Sequence, residues 1–252
     1  MTRPGEFIVH IGRFDYEADG LAMQGWLALP EGQGPFPGVL VFPAAPGLGT
    51  QIRTSTEALA KLGYAALGCD LYGDGTFFDD IDDAMALLVA LRGRPDGVLR
   101  RARGAFDAFI ALPAIDRARV ASIGYCLGGL SSLELARSGA RLAAVVGFHT
   151  PLGTRNIDDA RNITARILIC TGSEDREAGT EARAAFEQEM RHGGVADWRI
   201  SLYGNVYHSF TNPDADGYGK PDYARYDARA HRRSWNEMCA LLDEAFAEGI
   251  PA

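Results

Sequence analysis

Cys126 stands in the middle of Gly124-Tyr125-Cys126-Leu127-Gly128-Gly129, directly after the apolar run 119–123 and directly before the helix-forming stretch 131–136. This order reads as a strand, a tight turn and a helix, with a thiol at the apex. Small residues on either side let the backbone turn sharply without a Cβ clash. A helix that starts at Leu127 directs its unpaired N–H groups and positive dipole end toward Cys126, which favours a thiolate and any anion formed beside it. The chemistry predicted is nucleophilic attack by sulfur. The competing reading is packing, since cysteine is commonly buried and glycine-rich turns are frequent.

A thiol of ordinary pKa near 8.5 is only slightly ionised at neutral pH, so it gains from an imidazole base. The imidazole in turn gains from a carboxylate that fixes its tautomer and stabilises its cation. A nucleophile on a strand-to-helix corner is followed in the chain by its acid and then its base, each on a loop after a strand. Both are present in that order. The apolar run 166–170 leads into Thr171-Gly172-Ser173-Glu174-Asp175, and the run 198–203 leads into Gly204-Asn205-Val206-Tyr207-His208-Ser209-Phe210. Asp175 and His208 are therefore the candidate acid and base, at strand ends where ligand sites of open α/β sheets gather. Asp175 also reads as a cap for the helix that follows, and Glu174 is its nearest competitor. His10, His192 and His231 fit the base less well. His149, at a strand end between nucleophile and acid, either lines the pocket or buries its ring with a satisfied hydrogen bond. An oxyanion needs backbone donors. Leu127, just after the thiol, supplies one, and Ala45 in Pro43-Ala44-Ala45-Pro46-Gly47 is the expected second.

Elements must hold these residues in place. Apolar runs at 23–29, 38–42, 65–69, 120–123, 143–148, 166–170 and 198–203 read as strands, and helical patterns occupy 53–62, 82–91, 97–112, 127–137, 177–191 and 226–246. Such alternation is the signature of βαβ units, so the fold class is α/β, with a mostly parallel central sheet and helices on both faces. No repeat or low-complexity linker interrupts it, and residues 1–252 read as a single domain. Residues 32–37 read as a hairpin-like connection, and 212–223, rich in Gly, Pro and Asp, as a surface loop. The acidic run 79–83 suits a helix N-terminus better than a metal site.

The chain has 252 residues, 47% of them hydrophobic, which suffices for a full core. A formal net charge of −8 without a basic stripe predicts no nucleic-acid or anionic-membrane partner. Residues 1–6 lack a signal-peptide pattern, and no apolar stretch approaches the roughly 18 residues of a membrane helix, so a cytoplasmic enzyme is expected. Cys69, Cys126, Cys170 and Cys239 show no zinc-type spacing; the other three lie in apolar runs, and disulfides are not expected. Nothing signals an oligomeric state.

With these residues in view, the chain resembles the dienelactone hydrolase family. Gly124 to Gly129 resembles its nucleophile motif, His208-Ser209-Phe210 its histidine motif and Asp70-Leu71-Tyr72 its strand-end motif, and the similarity runs from about residue 25 to 246. The resemblance implies an α/β-hydrolase fold, a Cys126-His208-Asp175 triad, cleavage of a small-molecule ester or lactone through an acyl-thiol intermediate, and no metal or organic cofactor. Three positions depart from the family. Ala44 replaces a glutamate that helps deprotonate the thiol, while Asp74 and Asn212 replace arginines that clamp the substrate carboxylate. Asp74 would repel such a carboxylate, so a neutral or less acidic substrate is predicted. Tyr72, Phe77, Phe78, Tyr125 and Tyr207 either line an apolar pocket or pack the core. A non-catalytic binding protein on the same fold is the alternative that the missing glutamate leaves open.

Overall fold

The computed structural model describes residues 9–249, within which the chain forms two compact units divided after Val120. The segment 1–6, on which the expected location partly rests, lies outside the described residues. Among the described residues no helix is long and apolar enough to cross a membrane.

The first unit holds strands β1 (Val9–Ala18), β2 (Leu21–Pro30), β3 (Phe36–Phe42) and β4 (Ala65–Gly68), with helices α1 (Thr50–Lys61), α2 (Ile81–Gly93) and α3 (Gly97–Ile110). Its strand order is β1-β2-β4-β3. Two features differ from the sequence reading. The hairpin is β1–β2, closed at Asp19-Gly20, where both residues have positive φ, 53° and 73°. That geometry suits a two-residue turn whose twist matches the strands. β1 gives no apolar run because its polar and apolar residues alternate. The 32–37 connection is no hairpin, since β2 pairs antiparallel with β4 and β3 pairs parallel with β4. Asp19 is then gripped by Arg94, Arg100 and Arg101 at 2.8, 2.8 and 3.2 Å, which fastens the turn to α3. α3 buries Val98, Arg101, Ala102, Ala105, Phe106 and Phe109, a stripe at helical spacing. The acidic run behaves as expected: Asp80 caps α2 and accepts from the Asp82 N–H at 2.7 Å.

Strand β5 (Ile115–Tyr125) carries the chain into the second unit, which adds α4 (Leu127–Arg137), β6 (Ala144–Phe148), β7 (Arg166–Gly172), α5 (Thr180–Gly193), β8 (Trp198–Tyr203) and α6 (Ala228–Glu248). Here β5, β6, β7 and β8 pair in that order, all parallel. Parallel pairing puts every strand's C-terminal end on one side, which brings loops far apart in sequence to the same edge. α4 is buried over most of its length. Its last arginine, Arg137, meets Glu189 of α5 through two 2.8 Å bonds in the interior.

Backbone crowding fixes the β5–α4 corner. A Cβ on Gly124 would lie 2.0 Å from the carbonyl carbon and oxygen of Gly128, and one on Gly129 would lie 2.5 Å from the Thr150 side chain. Gly124→Ala is expected to lower stability by about 2–3 kcal/mol, roughly 5–10 °C in Tm. Gly204→Ala, where nothing lies within 4 Å of the added atom, should stay within about 0.5 kcal/mol. Thermal unfolding of both variants checks the contrast.

Candidate active site

Cys126 sits at the corner with φ 51° and ψ −114°, a conformation that a side-chain-bearing residue holds only under constraint. The constraint is local bonding. Its N–H donates to Phe148 O at 2.9 Å, and its carbonyl accepts from Gly129 and Leu130 N–H and from the Thr150 hydroxyl at 3.0 Å. The side chain is thereby lifted off the end of β5 at the N-terminus of α4. Of the four free cysteines Cys126 is partly exposed, whereas Cys69, Cys170 and Cys239 are buried. Burial pushes the Cys69 and Cys170 thiols up, as suits inert core residues.

The structure brings the three triad candidates together. His208 Nδ1 lies 3.0 Å from both carboxylate oxygens of Asp175, and the Cys126 sulfur acts on the same ring electrostatically. An ionised carboxylate only accepts, so Nδ1 carries a proton and Nε2 is left to the sulfur. Asp175 faces His208 and is also a cap: its Oδ1 accepts from Glu177 N–H at 2.9 Å at the start of a short 3₁₀ turn. Glu174 is exposed and takes a hydrogen bond from the Ser173 hydroxyl. Gly172 makes the Asp175 loop possible: a Cβ there would lie 1.9 Å from Val206 O. Glu174 N–H in turn donates to that carbonyl at 3.0 Å, joining the Asp175 loop to the His208 loop.

His208 is held from several sides. Its N–H donates to Tyr223 O and its carbonyl accepts from Arg225 N–H, both at 3.1 Å. The Tyr223 ring lies 5.2 Å away, and its hydroxyl donates to Glu177 at 3.3 Å. His149 packs edge-on at 5.0 Å. It is wholly buried, with Nε2 2.8 Å from the Thr211 hydroxyl and Nδ1 without a partner. So its ring is buried, but only half satisfied. Burial, then the positive charge of His208, holds His149 well below the usual imidazole value, so it is neutral. Tyr125 is buried and stacks on Phe148 at 5.0 Å. Asn212, also buried, donates from Nδ2 to Tyr218 Oη at 2.7 Å. The segment 212–223 is more than a surface loop: Ala215–Tyr218 is a 3₁₀ turn with Ala215 fully buried.

The remaining candidates lie in the first unit. The Tyr72 hydroxyl donates to the carbonyl of Ala45 at 2.9 Å, and Gly47 N–H donates to Ala44 O at 3.0 Å. Leu48 N–H donates to Thr76 O and Phe78 N–H to Pro46 O, stitching the loop after β3 to the loop after β4. Buried Asp70 organises the latter by accepting from Gln24, Tyr72, Gly73 and Gly75 N–H at 2.8–3.1 Å. Asp74, exposed and at φ 54°, belongs to the same loop. Sequence reasoning missed Thr150, Glu177, Tyr218 and Tyr223. None lies in a motif; only the Gly- and Pro-rich composition around Tyr218 and Tyr223 marked an irregular, ligand-suited segment. Among the described residues no group of three or more His, Cys, Asp or Glu side chains is placed to hold a metal ion.

Burial alone would lower the His208 value. The negative charge of the Cys126 sulfur, hydrogen bonds to Asp175 and Cys126, and the charge of Asp175 outweigh it and raise the imidazole to about 10. Relative to a free imidazole near 6.5, this proton stabilises the folded state fully below about pH 6.5, and the stabilisation is lost as pH rises through about 10. In a ¹³C-histidine NMR titration the His208 inflection is expected near pH 10, moving down in Asp175→Asn; an inflection near 6.5 in the parent protein contradicts the ion pair.

A model described as the dienelactone hydrolase family matches residues 23–246. The solved structure m3DLH is 41% identical, with a TM-score of 0.88 over 94% of this chain and 99% of its own. The dienelactone hydrolase-like promiscuous phosphotriesterase P91, from metagenomic libraries, is 39% identical with a TM-score of 0.90 over the same shares. A Bradyrhizobium protein named as a probable 2-oxo-3-(5-oxofuran-2-ylidene)propanoate lactonase is 27% identical over 81% of this chain and 85% of its own. The architecture shared with the two solved structures is the α/β-hydrolase fold, with its mostly parallel sheet.

Proposed function

Because the chain belongs to the dienelactone hydrolase family, whose members act on ester or lactone bonds, we propose that it cleaves a neutral carboxylic ester or lactone with Cys126 as nucleophile, His208 as proton carrier and Asp175 as the carboxylate that orients it. The observation that carries this reading is the hydrogen-bonded Asp175–His208 pair, whose imidazole feels the charge of a partly exposed thiol at a helix N-terminus.

The Cys126 sulfur attacks the carbonyl carbon and the carbonyl electron pair moves onto oxygen. The dipole end of α4 and the Leu127 N–H stabilise that oxyanion. As the tetrahedral centre collapses, the bond to the leaving oxygen breaks and His208 Nε2 gives that oxygen its proton. Water then adds to the acyl-thiol as His208 Nε2 takes its proton, the carbon–sulfur bond breaks, and the acid leaves with the sulfur again negative beside the imidazolium. Asp175 keeps the proton on Nδ1 throughout, so that Nε2 faces the reacting atoms.

Neutrality of the substrate is argued from position 212, which holds Asn rather than a cation. The likeness to a promiscuous phosphotriesterase favours a second neutral class, phosphotriesters, attacked at phosphorus by the same thiol. Steady-state assays on neutral aryl esters, neutral lactones, a phosphotriester and a carboxylate-bearing dienelactone test the reading. Turnover should vanish in Cys126→Ala and fall by about 10²- to 10⁴-fold in Asp175→Asn. Neutral substrates should exceed the dienelactone in kcat/KM. No turnover above background in the parent would overturn the reading in favour of a binding protein, and turnover equal in the parent and in Cys126→Ala would overturn the role of the thiol.

A further inference from the structure

We infer that Tyr218 is a substrate-contacting residue that sets specificity: its hydroxyl, oriented by Asn212, donates a hydrogen bond to a neutral oxygen in the acyl part of the substrate, such as an ether, keto or ring oxygen. The inference rests on the thiol-hydrolase reading and names the kind of acyl group that site takes.

The argument begins with the Asn212 amide, whose two ends are both committed. Its Oδ1 accepts from Asp214 N–H at 3.1 Å, which fixes which end is oxygen, and its Nδ2 therefore faces Tyr218 and donates to Oη at 2.7 Å. The phenol oxygen thus receives a hydrogen bond and must point its own proton elsewhere. Among the described residues no acceptor takes it. Other tyrosines of this unit differ: the Tyr203 hydroxyl donates to Glu237 at 2.8 Å and the Tyr223 hydroxyl to Glu177 at 3.3 Å. Tyr218 is a half-buried donor left for a ligand.

Its position is built. Asn212 lies four residues beyond His208, and Asn212 N–H donates to Ser209 O at 2.9 Å. Ala215 N–H donates to Asn212 O and Gly217 N–H to Asp214 O, forming the 3₁₀ turn that presents Tyr218. The chain then returns to His208, where Tyr223 O accepts from His208 N–H. Tyr218 is therefore carried on a loop pinned at both ends to the His208 segment. Burial, opposed by the Asn212 hydrogen bond and joined by the charges of Cys126 and Asp214, raises the phenol, so it stays an O–H donor at neutral pH and feels the Cys126 sulfur electrostatically.

The chemistry of the pair selects its ligand. A neutral O–H beside the Asp214 carboxylate suits a neutral acceptor and disfavours an anionic one, which would meet a like charge without a compensating cation. The scissile carbonyl oxygen is directed to the backbone donors, so the acceptor for Tyr218 is a second oxygen of the acyl group.

The test compares two isosteric substrates, p-nitrophenyl methoxyacetate and p-nitrophenyl butyrate, in the parent protein, Tyr218→Phe and Asn212→Ala, with thermal unfolding as the folding control. Tyr218→Phe should lose about three- to tenfold in kcat/KM on the methoxyacetate, carried by KM, and at least threefold less on the butyrate. Asn212→Ala should shift KM selectively in the same direction, since it frees the phenol. Equal losses on both substrates, a loss carried by kcat, or no loss would overturn the inference while leaving the thiol hydrolase standing. Absence of Cys126-dependent p-nitrophenol release from the parent protein would instead bring down the hydrolase reading, and this inference with it.

Discussion

The placement of the Cys126 sulfur depends on one steric constraint, the small space at the β5–α4 corner. Gly124 approaches Gly128 so closely that even one methyl carbon has no room, and Cys126 holds a positive φ in consequence. Such a backbone conformation costs on the order of 1–3 kcal/mol and persists only where neighbours over-determine it. The neighbours here are Phe148 O, the first turn of α4 and the Thr150 hydroxyl, and all act on Cys126 backbone atoms. The side chain is left free of these bonds. Strain in the main chain thus becomes pre-organisation of a sulfur atom above the sheet, at the electropositive end of a helix.

The second constraint is electrostatic. Three ionisable groups, Asp175, His208 and Cys126, share a region that is mostly buried, and isolated charges there are expensive. The Asp175 carboxylate faces the His208 imidazolium and offsets part of that cost. His149 shows the other side of the same rule. One ring away and equally buried, it has no carboxylate partner and stays neutral. Two histidines 5.0 Å apart therefore differ: burial and the charge of His208 hold His149 down, whereas the Cys126 sulfur and the Asp175 carboxylate raise His208.

A long excursion, 212–223, serves this centre without belonging to any strand or long helix. Ordinarily a loop rich in Gly, Pro and Asp is a solvated connection. Here both of its ends are fastened to the His208 segment, and Asn212 spends its whole amide on the loop itself. Position 212 carries an asparagine whose amide accepts from Asp214 N–H and donates to the Tyr218 hydroxyl.

The sequence by itself determined the features that local chemistry enforces. Alternating apolar runs and helical stripes required an α/β fold, the glycine-flanked cysteine required a sharp corner, and the β8 and α4 boundaries followed directly from composition. The chain order of Asp175 and His208 after successive strands marked them as partners, since parallel strands deliver their following loops to one edge. What only the tertiary structure decided were contacts between residues with no local pattern. Strand β1 escaped notice because its alternating residues form no apolar run, and its partner is recognisable only once paired. The sequence already favoured Asp175 over its neighbour Glu174, and in the fold it is the Asp175 carboxylate that lies 3.0 Å from His208. The neutrality of His149 and the unspent proton of Tyr218 depend on which side chains arrive from elsewhere in the fold. Periodicity records how a segment meets the core; it carries nothing about which distant group will complete a hydrogen bond, because that is fixed by the packing of the whole chain.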